Sequence, residues 1–411
     1  MLSTLINTNF LKFLMPILLT CLSLFAIDAL TTLVVANLGM VSHLPYILFS
    51  ITLILGHSFS QGRMGMIAIA MMVAYFFIQE RLQVPLSVGT TKLEFSLLAF
   101  LLPVACMVVY AFPNRRFFSI SGLGYSILML LFLGWAYLTV DHFAENGMDT
   151  LWDGILFSIP ELSRLPFLAI LYSIICVGIA AIMVLKRNDA LDNAIYSCLL
   201  FSAITFGGFQ ISYISAILFS LAGVMLIYNV ISTSHKLAFI DQLTEIPSRR
   251  ALENEMAHLG RKYTIAMLDV DHFKKFNDTH GHDTGDHVLR LVAKKLRKTT
   301  GGAKVYRYGG EEFTVLFKGK SASQTIDHLE ELRESIAQYD MIIRDKEQRP
   351  KDDKQGTQKR GKKSTEKTVN ITVSIGVADS YELKTPTKVI KSADDALYKA
   401  KKKGRNCVVT S

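Results

Sequence analysis

Charge is scarce in the first 232 residues of this 411-residue chain: nine Lys and Arg and ten Asp and Glu, against 35 basic and 25 acidic residues in the remaining 179. A soluble domain carries roughly a quarter charged residues, which excludes this stretch from that class. Cysteine is scarce too. Cys21, Cys106, Cys176 and Cys198 sit in apolar runs, and Cys407 sits in the last predicted strand. Without a CxxC or Cys/His spacing, the thiols read as small buried hydrophobes rather than zinc ligands. His43, His57 and His142 show no ligand spacing, and haem and flavin motifs are absent, so the sequence names no ligand for the apolar half. Helix-turn-helix, zinc-finger and RNA-binding signatures are absent as well, and nucleic acid is not an expected partner despite the net charge of +9. The first apolar stretch is too long for a signal peptide, and no small-residue cleavage site follows it.

What the first half does contain is a string of apolar runs, near Leu11–Val34, Leu44–Ser60, Met64–Ile78, Leu93–Ala111, Ile120–Val140, Leu165–Leu185, Ala194–Phe206 and Ile211–Ile231. About 20 such residues cross a bilayer, so the pattern predicts a multi-pass all-α region over residues 1–231, with the third and seventh runs the shortest. With the C-terminus inside, eight spans put Lys12, Arg63, Arg115, Arg116, Lys186 and Arg187 on the cytoplasmic side. Asp141, Glu145, Asp149, Asp153 and Glu161 then fall outside, as the enrichment of Lys and Arg in cytoplasmic loops requires. Seven spans would break this alternation. Trp135 and Trp152 lie near the interfaces in this scheme. Asp28 is the main acid within a span and a candidate sensor residue or helix end.

Residues 232–240 contain no Pro or Gly, which predicts that the last membrane helix continues as a stiff linker. Beyond it, helix and strand patterns alternate over 241–411 as in one compact α+β domain. Helices are expected at Arg249–Leu259, Thr284–Arg297, Ala322–Gln338 and Pro386–Lys402. Strands are expected at Thr264–Val270, Lys304–Arg307, Thr314–Phe317, Met341–Arg344, Asn370–Val377 and Asn406–Val409. Residues 345–367 are too polar to bury a core and read as a disordered basic insertion, whose alternative role is contact with anionic lipid.

Two features carry chemistry. Gly309-Gly310-Glu311-Glu312-Phe313 forms a turn between two strands, and Leu268-Asp269-Val270-Asp271 ends an apolar strand some forty residues earlier. Paired acids at neighbouring strand ends suit metal-dependent phosphoryl chemistry.

Further motifs follow in order: Asp241-Gln242-Leu243-Thr244, Asp271-His272-Phe273-Lys274, Asn277-Asp278, Gly281-His282, Gly285-Asp286, Arg307-Tyr308 before the double glycine, Val373-Ser374-Ile375-Gly376-Val377, Ala396-Leu397-Tyr398-Lys399-Ala400-Lys401 and Gly404-Arg405-Asn406. Together with the GGEEF turn, they resemble the GGDEF family of diguanylate cyclases over essentially all of residues 238–411. A lone GGEEF would be weak, but so many ordered motifs at compatible spacing are specific.

The resemblance implies a ferredoxin-like, nucleotidyl-cyclase palm-type antiparallel sheet with helices, and the joining of two GTP into cyclic di-GMP with release of pyrophosphate. Asp269, Glu311 and the Val270 carbonyl become metal ligands for Mg2+, or for Mn2+ in its place. Glu312 becomes a second metal contact or the group that activates the 3′-hydroxyl, and the sequence does not separate these roles. Lys274 with the backbone of Phe273 to Lys275 at a helix start, and Lys401 and Arg405 at a helix end, become phosphate donors. The bland alternative for the last two is to complement the helix dipole. Asn277 and Asp286 become the guanine readers, where a carboxylate suits the N1–H and N2–H2 donors of guanine better than the N1 acceptor of adenine. Gly309 and Gly310 form the turn. Each domain would hold one GTP, so homodimerisation through the GGDEF and membrane regions belongs to the mechanism. The expected location is the bacterial inner membrane, with the catalytic domain in the cytoplasm.

Three departures from the family pattern stand out. Leu243-Thr244-Glu245-Ile246-Pro247-Ser248-Arg249 replaces Leu-Thr-Gly-Leu-Pro-Asn-Arg, and Thr300-Gly301-Gly302-Ala303 replaces the Arg-x-x-Asp product-inhibition site, so no feedback through that site is expected. The basic insertion is longer than the usual hairpin. The rival reading is a catalytically idle GGDEF domain that binds GTP or a protein partner, but such domains usually lose an active-site residue and this chain retains the set. Transport by the apolar helices is a third reading, with few intramembrane charges to support it.

Overall fold

The computed structural model describes residues 9–86, 88–146, 157–158, 163–187, 189–343, 367–381, 383 and 385–411. The chain divides into two compact units, Met1–Ser234 and His235–Ser411.

The regular elements described in the first unit are helices: α1 (Asn9–Phe25), α2 (Ile27–Ala36), α3 (Leu38–Ser58), α4 (Gly62–Arg81), α5 (Thr91–Val108), α6 (Ile120–Asn146), α7 (Phe167–Arg187), α8 (Ala190–Gly207) and α9 (Ile214–Phe239), the last of which continues past Ser234. Among the described residues, seven helices are long and apolar enough to cross a membrane, or eight if the bent pair α1 and α2 counts as one span. The first apolar run, Leu11–Val34, falls on that pair, whose halves are bent by 73°. Local polar groups surround the break: the Ser23 hydroxyl bonds back to the Thr20 carbonyl, and the Thr31 and Thr32 hydroxyls bond to the Asp28 carbonyl. Such back-bonding bends helices. Asp28 lies in the exposed first turn of α2, at a helix end.

Among the described residues, the buried acid of this unit is Asp192 of α8, which accepts a hydrogen bond from the Tyr110 hydroxyl at 2.5 Å. Reading Asp28 as the main intramembrane acid therefore missed it, since Asp192 lies only five residues beyond the polar turn at Lys186 and Arg187. Beside it, Asn193 donates to Asn229 of α9 at 3.0 Å, both side chains being buried. Asp149, Asp153, Glu161 and Trp152, and the basic insertion apart from Lys367, lie outside the described residues.

The second unit contains α10 (Arg249–Met256), β1 (Tyr263–Val270), α11 (Phe273–His280), α12 (His282–Leu296), β2 (Lys304–Arg307), β3 (Glu312–Lys318), α13 (Ile326–Ala337), β4 (Met341–Ile343), β5 (Lys367–Val369), β6 (Val373–Asp379), α14 (Pro386–Lys402) and β7 (Val408–Thr410). Five strands form one sheet in the order β2-β3-β1-β6-β7. β1 is antiparallel to both β3 and β6, and every residue of it is buried. The sheet is mixed rather than wholly antiparallel, because β7 runs parallel to β6. Helix α14 connects those two strands as a crossover, which returns the chain to the end where β6 began. The strand expected at Asn370–Val377 begins only at Val373, after a break at residues 370–372 that leaves β4 and β5 as a separate pair.

Period-2 alternation along β1 builds two cores. Ala266, Leu268 and Val270 face Val288, Leu289 and Val292 of α12 and Leu329, Leu332 and Ile336 of α13. Tyr263, Ile265 and Met267 face Leu252 of α10 and Val389, Ala393 and Leu397 of α14. The approach of α14 depends on Gly376 of β6, where a Cβ would lie 2.0 Å from the Leu397 amide nitrogen and 2.2 Å from the Ala393 carbonyl oxygen.

Candidate active site

Asp269 continues the odd-numbered face of β1 past Met267, which brings it under α14. Lys401 stands one helical turn beyond the buried Leu397, and its Nζ lies 2.9 Å from Asp269 Oδ1. On the other side of β1, Asp269 pairs in register with Glu312 of β3, and the Val270 amide donates to the Glu311 carbonyl at 3.4 Å. Strand pairing thus gathers Asp269, Glu311 and Glu312 at one sheet end. Glu312 folds back over the turn, so that a Cβ on Gly309 would lie 2.8 Å from its Oε2.

Burial pushes the Asp269 carboxyl above the usual range, Lys401 pulls it down, and the neighbouring Asp271 adds to the rise. Burial also raises Glu311, with Asp269 and Glu312 repelling its charge and Lys401 partly offsetting them. Crowded carboxylates short of countercharge suit a divalent cation. Among the described residues, no three His, Cys, Asp or Glu side chains form a closed metal cage. Mg2+ does not require one, since it commonly takes one or two carboxylates and completes its shell with water and substrate phosphates.

Asp271, two residues beyond Asp269, has another task. It accepts from the Ser374 hydroxyl at 2.7 Å, the Thr372 hydroxyl at 2.8 Å and the Asn406 amide at 3.1 Å. The break at residues 370–372 places Thr372 for this contact. Left-handed Arg405 and Asn406 (φ 67° and 46°) turn the chain after α14 so that the Asn406 amide meets the carboxylate. Arg405 is exposed, and its charge lowers the Asp269 pKa, as the last of several causes.

His272, at φ 56°, turns the chain from β1 into α11, which opens at Phe273 and Lys274 with no side-chain cap. Lys274 is exposed. Asn277, on the same helix, abuts the first turn of α12 at Gly285, where a Cβ would lie 1.9 Å from its Oδ1. That Oδ1 is buried without a hydrogen-bond partner. Half-buried Asp286 follows directly on α12. The structure therefore joins Asp269, Glu311, Glu312 and Lys401 in one cluster and brings Asn277 beside residue 285.

The sequence reading assigned no role to Arg307 or Asp241. Arg307 donates to Asp241 Oδ1 at 2.7 Å, to the Gly310 carbonyl at 2.7 Å and to the Gly309 carbonyl at 3.2 Å. Asp241 also accepts from the Thr244 amide and hydroxyl at 2.9 and 2.6 Å. The available signal was an arginine directly before the signature turn and an Asp-x-x-Thr spacing that makes a side-chain-capped turn.

A mixed sheet with acidic strand ends, a lysine beside them and an uncapped helix start make an α+β domain whose site suits a divalent cation and phosphate. Residues 238–353 and 348–407 match the family model "Diguanylate cyclase, GGDEF domain", and this part of the chain is a GGDEF domain. Diguanylate cyclase VdcA of Vibrio cholerae is 34% identical over 176 residues, 42% of this chain and 47% of that protein. Diguanylate cyclase A of Treponema denticola is 37% identical over 150 residues, 36% of this chain and 35% of that protein. The chain therefore spans less than half the length of these curated relatives. Among solved structures, the coiled coil and GGDEF domain of DgcB from Caulobacter crescentus, in complex with c-di-GMP, is 32% identical, covering 47% of this chain and 95% of that one with a TM-score of 0.40.

Proposed function

We propose that this chain is a membrane-anchored diguanylate cyclase that condenses two GTP into cyclic di-GMP and two pyrophosphates as a homodimer, one GTP per GGDEF domain. The carrying observation is the cluster of Asp269, Glu311 and Glu312 at the ends of β1 and β3, beside Lys401. The names of the curated relatives support the same reading.

Asp269, Glu311 and the Val270 carbonyl would hold Mg2+, which supplies charge neutralisation for the triphosphate and the departing pyrophosphate. Asn277 and Asp286 orient the base, the unpartnered Asn277 Oδ1 accepting from guanine N–H groups. The helix start at Phe273 and Lys274, with Lys401 and Arg405, binds the phosphates. Each 3′-hydroxyl then attacks the α-phosphorus of the GTP on the partner domain. An O–P bond forms, the bond between the α-phosphorus and the bridging oxygen breaks, and pyrophosphate leaves with that electron pair. Glu312 would take the hydroxyl proton. Two such steps close the ring, which is why neither domain acts alone.

The apolar helices of the first unit anchor the enzyme in the bacterial inner membrane and control the pairing of the cyclase domains in response to a signal. The test is product formation by the full-length protein in detergent with GTP and Mg2+, read by mass spectrometry. Cyclic di-GMP should appear with wild type and be lost in Glu311→Gln and Glu312→Gln while the fold is retained. Full turnover in either variant would refute its assignment.

A further inference from the structure

We propose that Lys401 is a displaceable internal counter-ion for Asp269, occupying the metal-facing edge of the site until a divalent cation displaces it, so that metal entry frees Lys401 for the substrate's phosphates. The inference rests on the cyclase reading for the identity of metal and phosphate.

Asp269 has a side chain only 7% exposed, and Lys401, at 2.9 Å, is the one ion-pair partner it makes among the described residues. Arg307, directly before the same turn, pairs with Asp241 instead. Asp271 offers no alternative acceptor, since both its oxygens are bonded by Ser374, Thr372 and Asn406.

The backbone beneath Lys401 is fixed. Leu397 and Ala400 are buried, and α14 sits too close to Gly376 to shift toward the sheet. The side chain itself is 34% exposed, so it can swing away without moving the helix. An ammonium and a divalent cation repel each other at one small carboxylate, so binding of one requires departure of the other. An ammonium on a flexible four-carbon stem suits such an exchange. The triphosphate, arriving with its metal, offers Lys401 a replacement anion. Metal and nucleotide should therefore bind cooperatively, with Lys401 as the coupling element.

The test is Mn2+ titration of the full-length protein in detergent without nucleotide, followed by loss of the free-ion electron paramagnetic resonance signal. Lys401→Met keeps the stem and removes the charge, and should bind Mn2+ about tenfold more tightly than wild type, the shift expected for a close charge pair. Asp269→Asn should abolish that binding. A non-hydrolysable GTP analogue should strengthen Mn2+ binding in wild type far more than in Lys401→Met. Misfolding would not tighten metal binding, and Lys401→Gln provides a second variant with the same expected direction. Equal or weaker Mn2+ affinity in both charge-removing variants, or no binding in any protein, overturns the proposal. Failure of the cyclase reading would show separately, as absence of product from wild type.

Discussion

At Asn277, one amide oxygen is buried with no partner and Gly285 presses against it, so the space for that oxygen exists only because residue 285 has no Cβ. Gly285→Ala should displace the side chain and weaken GTP binding by about tenfold or more, as expected when a site's hydrogen bond is lost, with little change in ATP binding; isothermal titration checks both. Asp286→Ala should lower the preference for GTP over ATP more than it lowers stability, and an unchanged preference would count against its role as a base reader. A second residue-scale feature is Glu245, which stands where the family pattern has glycine and takes φ 56°. A left-handed conformation costs a side-chain-bearing residue about 1–2 kcal/mol, partly offset in the unfolded chain, so Glu245→Gly should stabilise the domain by about 0.5–1 kcal/mol. Thermal unfolding measures the shift.

Among elements, β2 and the turn after α9 are tied by one ion pair. Arg307 and Asp241 have side chains 14% and 24% exposed, and Arg307 also holds the Gly309 and Gly310 carbonyls. Burial alone would raise the Asp241 carboxyl, but hydrogen bonds from Thr244 and Arg307 outweigh it and hold it below the ordinary value. A carboxylate with a lowered folded-state pKa contributes stability above its unfolded value of about 3.9, and that contribution is lost as pH falls through the folded value. Asp241→Asn should therefore destabilise the protein by about 2 kcal/mol at pH 7, the scale of a charged hydrogen bond lost. The gap between variant and wild type should close below about pH 4, and urea unfolding at several pH values reads it. A constant gap down to pH 3 would refute this assignment.

On the scale of the molecule, α6 and α7 present Ile127, Leu130, Leu131, Leu138, Ile174, Ile175, Ile179 and Ile182 to their surroundings. So much outward apolar surface is at home in lipid, and the full-length protein should resist alkaline extraction from membranes. Polar contacts instead turn inward, where Asn193 joins α8 to α9 through Asn229. Asn229→Leu leaves the Asn193 amide unpaired and should cost about 1 kcal/mol, within the range for hydrogen bonds between membrane helices. Asn193→Leu combined with Asn229→Leu should cost less than Asn229→Leu alone, because no buried polar group is stranded. Melting in detergent compares the two.

Much of this was legible in the sequence, for physical reasons that differ by region. Apolar runs of bilayer length mark the helices of the first unit because their signal is local composition, and the runs from Leu44 to Ile231 each fall on one helix of α3 to α9. The ordered motifs identified the GGDEF domain. Local pattern does not carry the direction in which a strand joins a sheet, and β7 was left to the α14 crossover to orient. Nor does it reveal a bend set by a few hydroxyls, as between α1 and α2. The roles of the clustered charges also came from tertiary structure. Asp269 and Asp271 share one face of a strand in the sequence pattern, yet one meets Lys401 and the other is enclosed by Ser374, Thr372 and Asn406, residues more than a hundred positions away. Sequence determined which chemical groups were present and where the chain would form helix or strand. Only long-range packing decided which carboxylate was left open, because hydrogen-bond partners brought together by the sheet leave no trace in the local order of residues.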